Sequence, residues 1–165
     1  MKIVALKNGK TDKYDQMHCI RSDGTAASTK MPRQGILPHD LLHYVVEAAL
    51  KYENGFLGMI SSGADIAFAM SQTHDISNKN VADQAAHAES IVESLQAQLW
   101  CGAFELTLFL EGVRTACLAR GCTQPDLSCV DPELDFYQEA LDLGRRWQEV
   151  QPYETLELDF PMSMQ

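Results

Sequence analysis

Two of the five histidines in this sequence stand four residues apart, within the segment PHDLLHYVVE at residues 38–47. On an α-helix, residues four apart lie on the same face, about 6 Å from one another. This spacing allows one helix to offer two imidazoles to a single metal ion. We therefore predict that His39 and His43 bind a divalent metal ion, with zinc as the expected metal.

Two carboxylates accompany the histidine pair. Asp40 stands beside His39 in a pattern similar to the zinc-enzyme sequence His-Glu-x-x-His, with the shorter aspartate in place of glutamate. Glu47 follows His39 by eight residues, about 12 Å along a helix, which is too far for both to bind one ion through bonds of about 2 Å. Asp40 and Glu47 are therefore the predicted catalytic residues, as a base for a metal-bound water or as a carboxylate that orients His43.

Either the helix is distorted at its start, or a third metal ligand comes from another element, for which the sequence offers His74, Asp83 and His87. Asp83 and His87 are again four residues apart, on a second predicted helix. Helical proteins build metal sites from ligand pairs on facing helices. His87 is the third ligand that we predict, on the condition that the two helices face each other.

The same helix also has an interpretation without any site. Asp40, His43, Glu47 and Lys51 recur at steps of three and four residues, as the solvent-exposed stripe of an amphipathic helix does. In that case Asp40 complements the helix dipole, and Glu47 pairs with Lys51 one turn further on. The sequence alone leaves both interpretations open.

The first thirty residues have the character of β-strands. Three strands are predicted there, at residues 2–7, 13–21 and 25–31. The dipeptides Asn8-Gly9 and Asp23-Gly24 between them favour tight turns. Residues 155–160 alternate apolar and polar side chains, as a half-buried strand does. We predict a small antiparallel sheet, in which an N-terminal meander is joined by a C-terminal strand.

Between these strands the apolar residues recur every three to four positions, which indicates helices. The predicted helices are at residues 38–53, 56–70 in two short pieces, 81–99, 104–120 and 131–150. Asn54-Gly55 is the predicted stop of the first. The polar stretch 72–80 is predicted to be a loop. The fold class is therefore α+β, with the small antiparallel sheet packed against a layer of four to five helices. No repeat or linker divides the chain, so we expect a single domain over residues 1–165.

The chain carries 13 basic and 23 acidic residues, a formal net charge of −10. Nucleic acids and anionic membranes repel so acidic a protein, and we expect neither as a partner. The sequence has no run of 18 apolar residues and no signal-peptide pattern at its start. Its five cysteines include no Cys-x-x-Cys, which fits thiols in a reducing compartment. We therefore expect a cytoplasmic protein.

Residues 2–66 resemble a family of small, uncharacterised bacterial proteins. The resemblance is carried by the opening strand and by the segments RSDGT at 21–25, LPHDLLHYVVE at 37–47, GFLG at 55–58 and Asp65-Ile66. It implies a compact cytosolic protein and makes a chance His39-Asp40-x-x-His43 arrangement less expected. It implies no particular activity.

Two functions follow from the sequence. The first is a divalent-metal-binding protein that acts as a metal-dependent hydrolase on a small molecule of unknown identity. The second is a non-catalytic helical interaction module, expected to be a homodimer, because helices 81–99 and 104–120 have broad apolar faces. A bound metal that is lost with His43 would favour the first function, and a metal-free dimer would favour the second.

Overall fold

The computed structural model describes residues 1–74 and 83–161, without the side chains of residues 72–74. Within these ranges a four-stranded antiparallel sheet packs against helices, which confirms the predicted α+β class. The strands are β1 (Lys2–Leu6), β2 (Tyr14–Ile20), β3 (Ala26–Pro32) and β4 (Thr155–Asp159). The helices are α1 (His39–Leu50), α2 (Phe56–Ser61), α3 (Ile66–His74), α4 (Asp83–Cys101), α5 (Leu106–Arg120) and α6 (Glu139–Glu149), with a π-helical segment, Pro132–Gln138, leading into α6.

The sheet has the strand order β3-β2-β1-β4, and every neighbouring pair is antiparallel. The N-terminal meander therefore gains β4 on its β1 edge, as the sequence predicted. Ile3 lies opposite Cys19 and Ala5 lies opposite Met17, so that these four side chains share one face of the sheet. All four are fully buried and belong to the same core as the helices.

Helices α1 and α4 form the centre of the helical layer and pack against each other. Leu41 and Leu42 of α1 and Ile91 and Leu95 of α4 are fully buried in the core. Burial of each such side chain stabilises the fold by about 1.5–3 kcal/mol. The packing of α1 on α4 meets the condition that a metal site shared between two helices requires.

The boundary between α1 and α2 differs from the prediction. Helix α1 ends at Leu50, because Lys51 adopts a left-handed conformation with φ 53°. The predicted stop at Asn54-Gly55 was wrong, since Gly55 is the N-cap of α2. The two short helical pieces predicted over residues 56–70 are α2 and α3, and the described residues form six α-helices in all. Of the loop predicted over 72–80, residues 72–74 end α3, and residues 75–80 lie outside the described part of the chain.

The C-terminal helix predicted over residues 131–150 has the predicted start. The Asp131 carboxylate accepts hydrogen bonds from the N–H groups of Glu133 and Leu134, as an N-cap does. The first seven residues, Pro132–Gln138, are π-helical before α6 continues. Neither this helix nor any other in the described ranges is long and apolar enough to cross a membrane.

Candidate metal centre

His39 and His43 occupy successive turns of α1, as their spacing predicts. Their Nε2 atoms are 3.2 Å apart. The two rings meet edge to face, with 4.9 Å between their centroids. The helix thus directs the same nitrogen of both imidazoles to one point.

Glu89 of α4 brings a carboxylate to this point. Its Oε2 lies 2.9 Å from Nε2 of His43, and its Oε1 lies 3.3 Å from Nε2 of His39. One donor atom from each of the three residues can be chosen so that all lie within 4.8 Å of one another, an arrangement that could hold a metal ion. His43 and Glu89 are buried, whereas the His39 side chain is 25% exposed. The cluster therefore has an inner side closed by protein and an outer side at His39.

The remaining ring nitrogens are bound by hydrogen-bond acceptors. Nδ1 of His43 lies 2.9 Å from Oε1 of Glu47, and Nδ1 of His39 lies 2.9 Å from Oε1 of Gln96. Gln34 donates to the same Gln96 oxygen, which identifies that atom as an acceptor. Each Nδ1 accordingly carries a proton and donates it. This tautomer presents Nε2 of both rings to the cluster, as in metal-binding histidines held by carboxylate or amide oxygens.

Glu47 is fully buried and uses both of its oxygens. While Oε1 accepts from His43, Oε2 accepts from the backbone N–H groups of Leu57 at 2.9 Å and Gly58 at 3.1 Å. These N–H groups lie in the first turn of α2, where backbone N–H groups have no acceptor within the helix. The same carboxylate thus orients an imidazole on α1 and caps α2.

The glycines of the GFLG segment make this contact possible. A Cβ atom on Gly55 would lie 2.4 Å from the Cδ atom of Glu47. One on Gly58 would lie 2.5 Å from the carbonyl oxygen of Glu53. Gly55 has φ −75°, which any residue can adopt, so the requirement is for space and not for backbone freedom.

The cluster favours positive charge at His43. Burial by itself lowers the pKa of His43, but the carboxylates of Glu47 and Glu89 outweigh burial and raise the pKa to about 10. The imidazole is therefore held as a cation between two carboxylates. A second ring proton or a metal ion can supply the positive charge that this position requires.

The separations of the donor atoms suit a metal ion of ordinary size. Zinc binds imidazole nitrogen and carboxylate oxygen at about 2.0–2.2 Å, so two ligands on a tetrahedral ion are about 3.4 Å apart. The separations of 2.9, 3.2 and 3.3 Å are close to this value, but the first and the last end on different oxygens of Glu89. With one donor atom from each residue, the set lies within 4.8 Å. Three protein ligands would leave a coordination position for water, which distinguishes catalytic from structural zinc sites.

The structure brings together His39 and His43 but gives the third position to Glu89 instead of His87. Nε2 of His87 lies 2.8 Å from the carbonyl oxygen of Thr123 and 3.2 Å from its hydroxyl. His87 and Glu89 are two residues apart, about 200° around a helix, so they leave α4 in different directions. The side chain of His74, the other histidine considered as a ligand, lies outside the described residues.

The two predicted catalytic carboxylates lie away from the open side of the cluster. Asp40 is buried, and its negative charge contributes, after burial, to raising the pKa of Cys19 on β2 to about 12. Asp40 therefore stands close to the sheet. Glu47 lies behind His43, with both oxygens in hydrogen bonds. The burial of Asp40, His43 and Glu47 also shows that this stripe of α1 is not solvent-exposed.

Glu89 is the member of the cluster that sequence reasoning missed, although a signal was present. Its position follows Ala85 by four residues and precedes Val92 by three, which places it within the apolar stripe of α4. An acid in an apolar stripe is uncommon unless it is paired. Asp83 and His87 were considered because of their residue types, whereas the signal for Glu89 was its position in the apolar stripe of α4.

The comparisons with known proteins give no name to this arrangement. No protein-family model matches the chain, and neither the curated proteins nor the solved structures include a match. The resemblance of residues 2–66 to small bacterial proteins therefore stays an expectation.

Replacing Gly55 by alanine tests whether Glu47 needs the space beside it. We expect Gly55→Ala to lower the free energy of unfolding by about 1–3 kcal/mol, because its Cβ would overlap the Glu47 carboxylate. Gly144→Ala is the matched control, since a Cβ there meets nothing within 4 Å, and it should leave stability unchanged or higher. Chemical denaturation measures both variants. A Gly55→Ala protein as stable as the parent would contradict the close packing.

Replacing Glu47 by glutamine tests the buried hydrogen bonds. An amide cannot accept through both of its ends, so one of the donors on His43, Leu57 or Gly58 loses its partner. We expect the free energy of unfolding to fall by about 1–3 kcal/mol. Glu111→Gln, which alters an exposed ion pair with Arg114, should change it little. If Glu47→Gln and Glu111→Gln are equally stable, the contribution of Glu47 to the free energy of unfolding does not depend on its charge.

Proposed function

We propose that this protein binds one divalent metal ion through His39, His43 and Glu89 and uses it to hydrolyse a small molecule. The observation that carries the proposal is the convergence of two imidazole Nε2 atoms and one carboxylate, with separations of 2.9 to 3.3 Å. Two histidines and a glutamate with one open position are the ligand set of several zinc hydrolases.

Zinc is the proposed metal. An open zinc site lowers the pKa of a bound water to about 7 and so supplies a hydroxide nucleophile at neutral pH. Two histidines and one carboxylate also suit iron(II). The metal content of the isolated protein distinguishes zinc from iron.

The chain's own residues would prepare the site before any ion arrives. Glu47 and Gln96 hold the rings of His43 and His39 through the Nδ1 atoms, so both Nε2 atoms face the cluster without a change of ring orientation. A metal ion that binds there would displace the Nε2 proton of His43. The partial exposure of His39 supports access from its side. The role of general base, for which Asp40 and Glu47 were predicted, stays a prediction.

Metal binding is tested on protein purified without chelator or immobilised nickel. We expect about one zinc or iron ion per chain by elemental analysis, with little in His43→Ala or Glu89→Gln. His87→Ala, which alters the same helix outside the cluster, should keep its metal. Equal metal content in the parent and His43→Ala would contradict the site, and loss of metal in His87→Ala would point to a different ligand set.

Glu47→Gln should bind zinc about 10–100-fold more weakly than the parent, since it loses the carboxylate that orients His43. Isothermal titration of the metal-free proteins with zinc measures this change, with Glu111→Gln as the control. An unaltered affinity in Glu47→Gln would mean that Glu47 serves the fold alone.

Hydrolysis is tested with the zinc-loaded protein on p-nitrophenyl acetate and bis(p-nitrophenyl) phosphate. We expect turnover of at least one ester by the parent and none above background by His43→Ala. Stoichiometric metal without turnover of either ester would argue against a hydrolase of these bonds, and would leave metal binding as the function.

A homodimeric interaction module is the second candidate. It is favoured by the exposed leucines of α5, among them Leu106, Leu108 and Leu118, which are 49 to 63% exposed. Light scattering behind gel filtration measures the mass in solution. A metal-free protein with twice the chain mass would favour this candidate over the metal centre.

A further inference from the structure

A cleft of about 480 Å³ lies between the turn that follows β1, the segment before α1 and the end of α6. Its wall carries Lys7, Lys10 and Arg33, and among the described residues Asp15 is the one acid that lines it. The protein as a whole has a net charge of −10. This concentration of positive charge therefore runs against the overall charge of the molecule and marks the cleft as a place for an anion.

Arg33 makes the cationic wall rigid. Its guanidinium binds both carboxylate oxygens of Asp15, with the shorter contact at 2.7 Å, and it donates to the carbonyl oxygens of Asn8, Gly9 and Lys10. These bonds fix the turn that carries Lys10. The turn is thus held in place before any ligand binds, which reduces the entropy that binding would cost.

Lys7 stands further inside the cleft. Its ammonium group donates to the carbonyl oxygen of Trp147 and lies 4.7 Å from the centroid of the Trp147 ring. Burial lowers the pKa of Lys7; the charge of Asp15 acts against this shift, and the charge of Arg33 adds to it. An ammonium group has three N–H donors, of which the Trp147 carbonyl takes one among the described residues. A bound anion would accept another and would offset the cost of burying the charge.

The rest of the lining combines apolar residues with the polar residues Asn8, Gln34, Gln148 and Gln151. Ile36, Leu37, Pro38, Val150 and Pro152 contribute to the walls. Pockets for small molecules typically enclose about 300–1,000 Å³ and combine apolar walls with a few polar groups that set orientation. Free phosphate would leave these walls without a partner, whereas an organic anion would cover them.

We propose that this cleft binds a small organic anion, with a carboxylate or phosphate group at Lys7 and Lys10 and an apolar body against Ile36 and Val150. The anionic group of the ligand is recognised by its negative charge. The apolar body of the ligand is bound because its surface is buried against the cleft. The proposal does not depend on the metal centre, because none of the cleft residues named here is a proposed metal ligand.

Binding is tested by isothermal titration of the metal-free protein at physiological salt. The probes are phenyl phosphate, benzoate, inorganic phosphate and phenol. We expect phenyl phosphate or benzoate to bind, inorganic phosphate to bind more weakly for want of an apolar body, and phenol not to bind. The tighter of the two organic anions identifies the charged group that the cleft prefers.

A pair of charge reversals locates the bound probe. Lys10 and Lys13 are both exposed on the same turn, but only Lys10 lines the cleft. We expect Lys10→Glu to weaken the binding of the better organic anion about tenfold or more, because it reverses a unit charge a few ångströms from that anion. Lys13→Glu, with the same change in net charge, should weaken this binding far less.

Three results would overturn the proposal. The first is a parent protein that binds neither phenyl phosphate nor benzoate. The second is equal weakening by Lys10→Glu and Lys13→Glu, which would place the anion elsewhere. The third is inorganic phosphate binding as tightly as phenyl phosphate, which would remove the role of Ile36 and Val150. Lys10 is chosen over Lys7 because Lys7 also holds the end of α6.

Discussion

The helical layer around the candidate site depends on the hydrogen bonds that the buried Glu47 carboxylate accepts. A charge with no exposure to water is costly unless hydrogen bonds replace its hydration. Glu47 receives three of them, from Nδ1 of His43 and from the N–H groups of Leu57 and Gly58. The chain meets this requirement by ending α1 at Leu50 and turning back at once, so that the first turn of α2 faces the carboxylate.

This single residue connects the fold to the chemistry. Because Glu47 accepts from Nδ1 of His43, the opposite nitrogen of the ring points to Glu89 on α4, 2.9 Å away. Gln96, seven residues after Glu89 and therefore on the same side of α4, fixes His39 in the same manner. The histidine pair is thus held from behind by one carboxylate and one amide, and its two Nε2 atoms meet the third donor of the cluster without rearrangement.

The local part of this arrangement could be predicted from the sequence, whereas the part that depends on packing could not. Spacing alone predicted that His39 and His43 share a face, and helix rise alone showed that Glu47 could not join His39 on one ion. Whether His87 or Glu89 lies beside the histidine pair depends on which side of α4 faces α1, a property of tertiary packing. Gly55 was interpreted as a helix stop because its real constraint, the closeness of Glu47, exists only in the folded chain. The sheet was predicted more fully, since turn dipeptides and alternation are local signals.

The most direct measurement is anomalous diffraction at the zinc edge from crystals of the zinc-loaded protein. The account predicts one strong peak about 2.0–2.2 Å from Nε2 of His39, Nε2 of His43 and a carboxylate oxygen of Glu89, with Nδ1 of His43 still bonded to Glu47. A peak at His87, or no peak between α1 and α4 in protein shown to contain zinc, would contradict it.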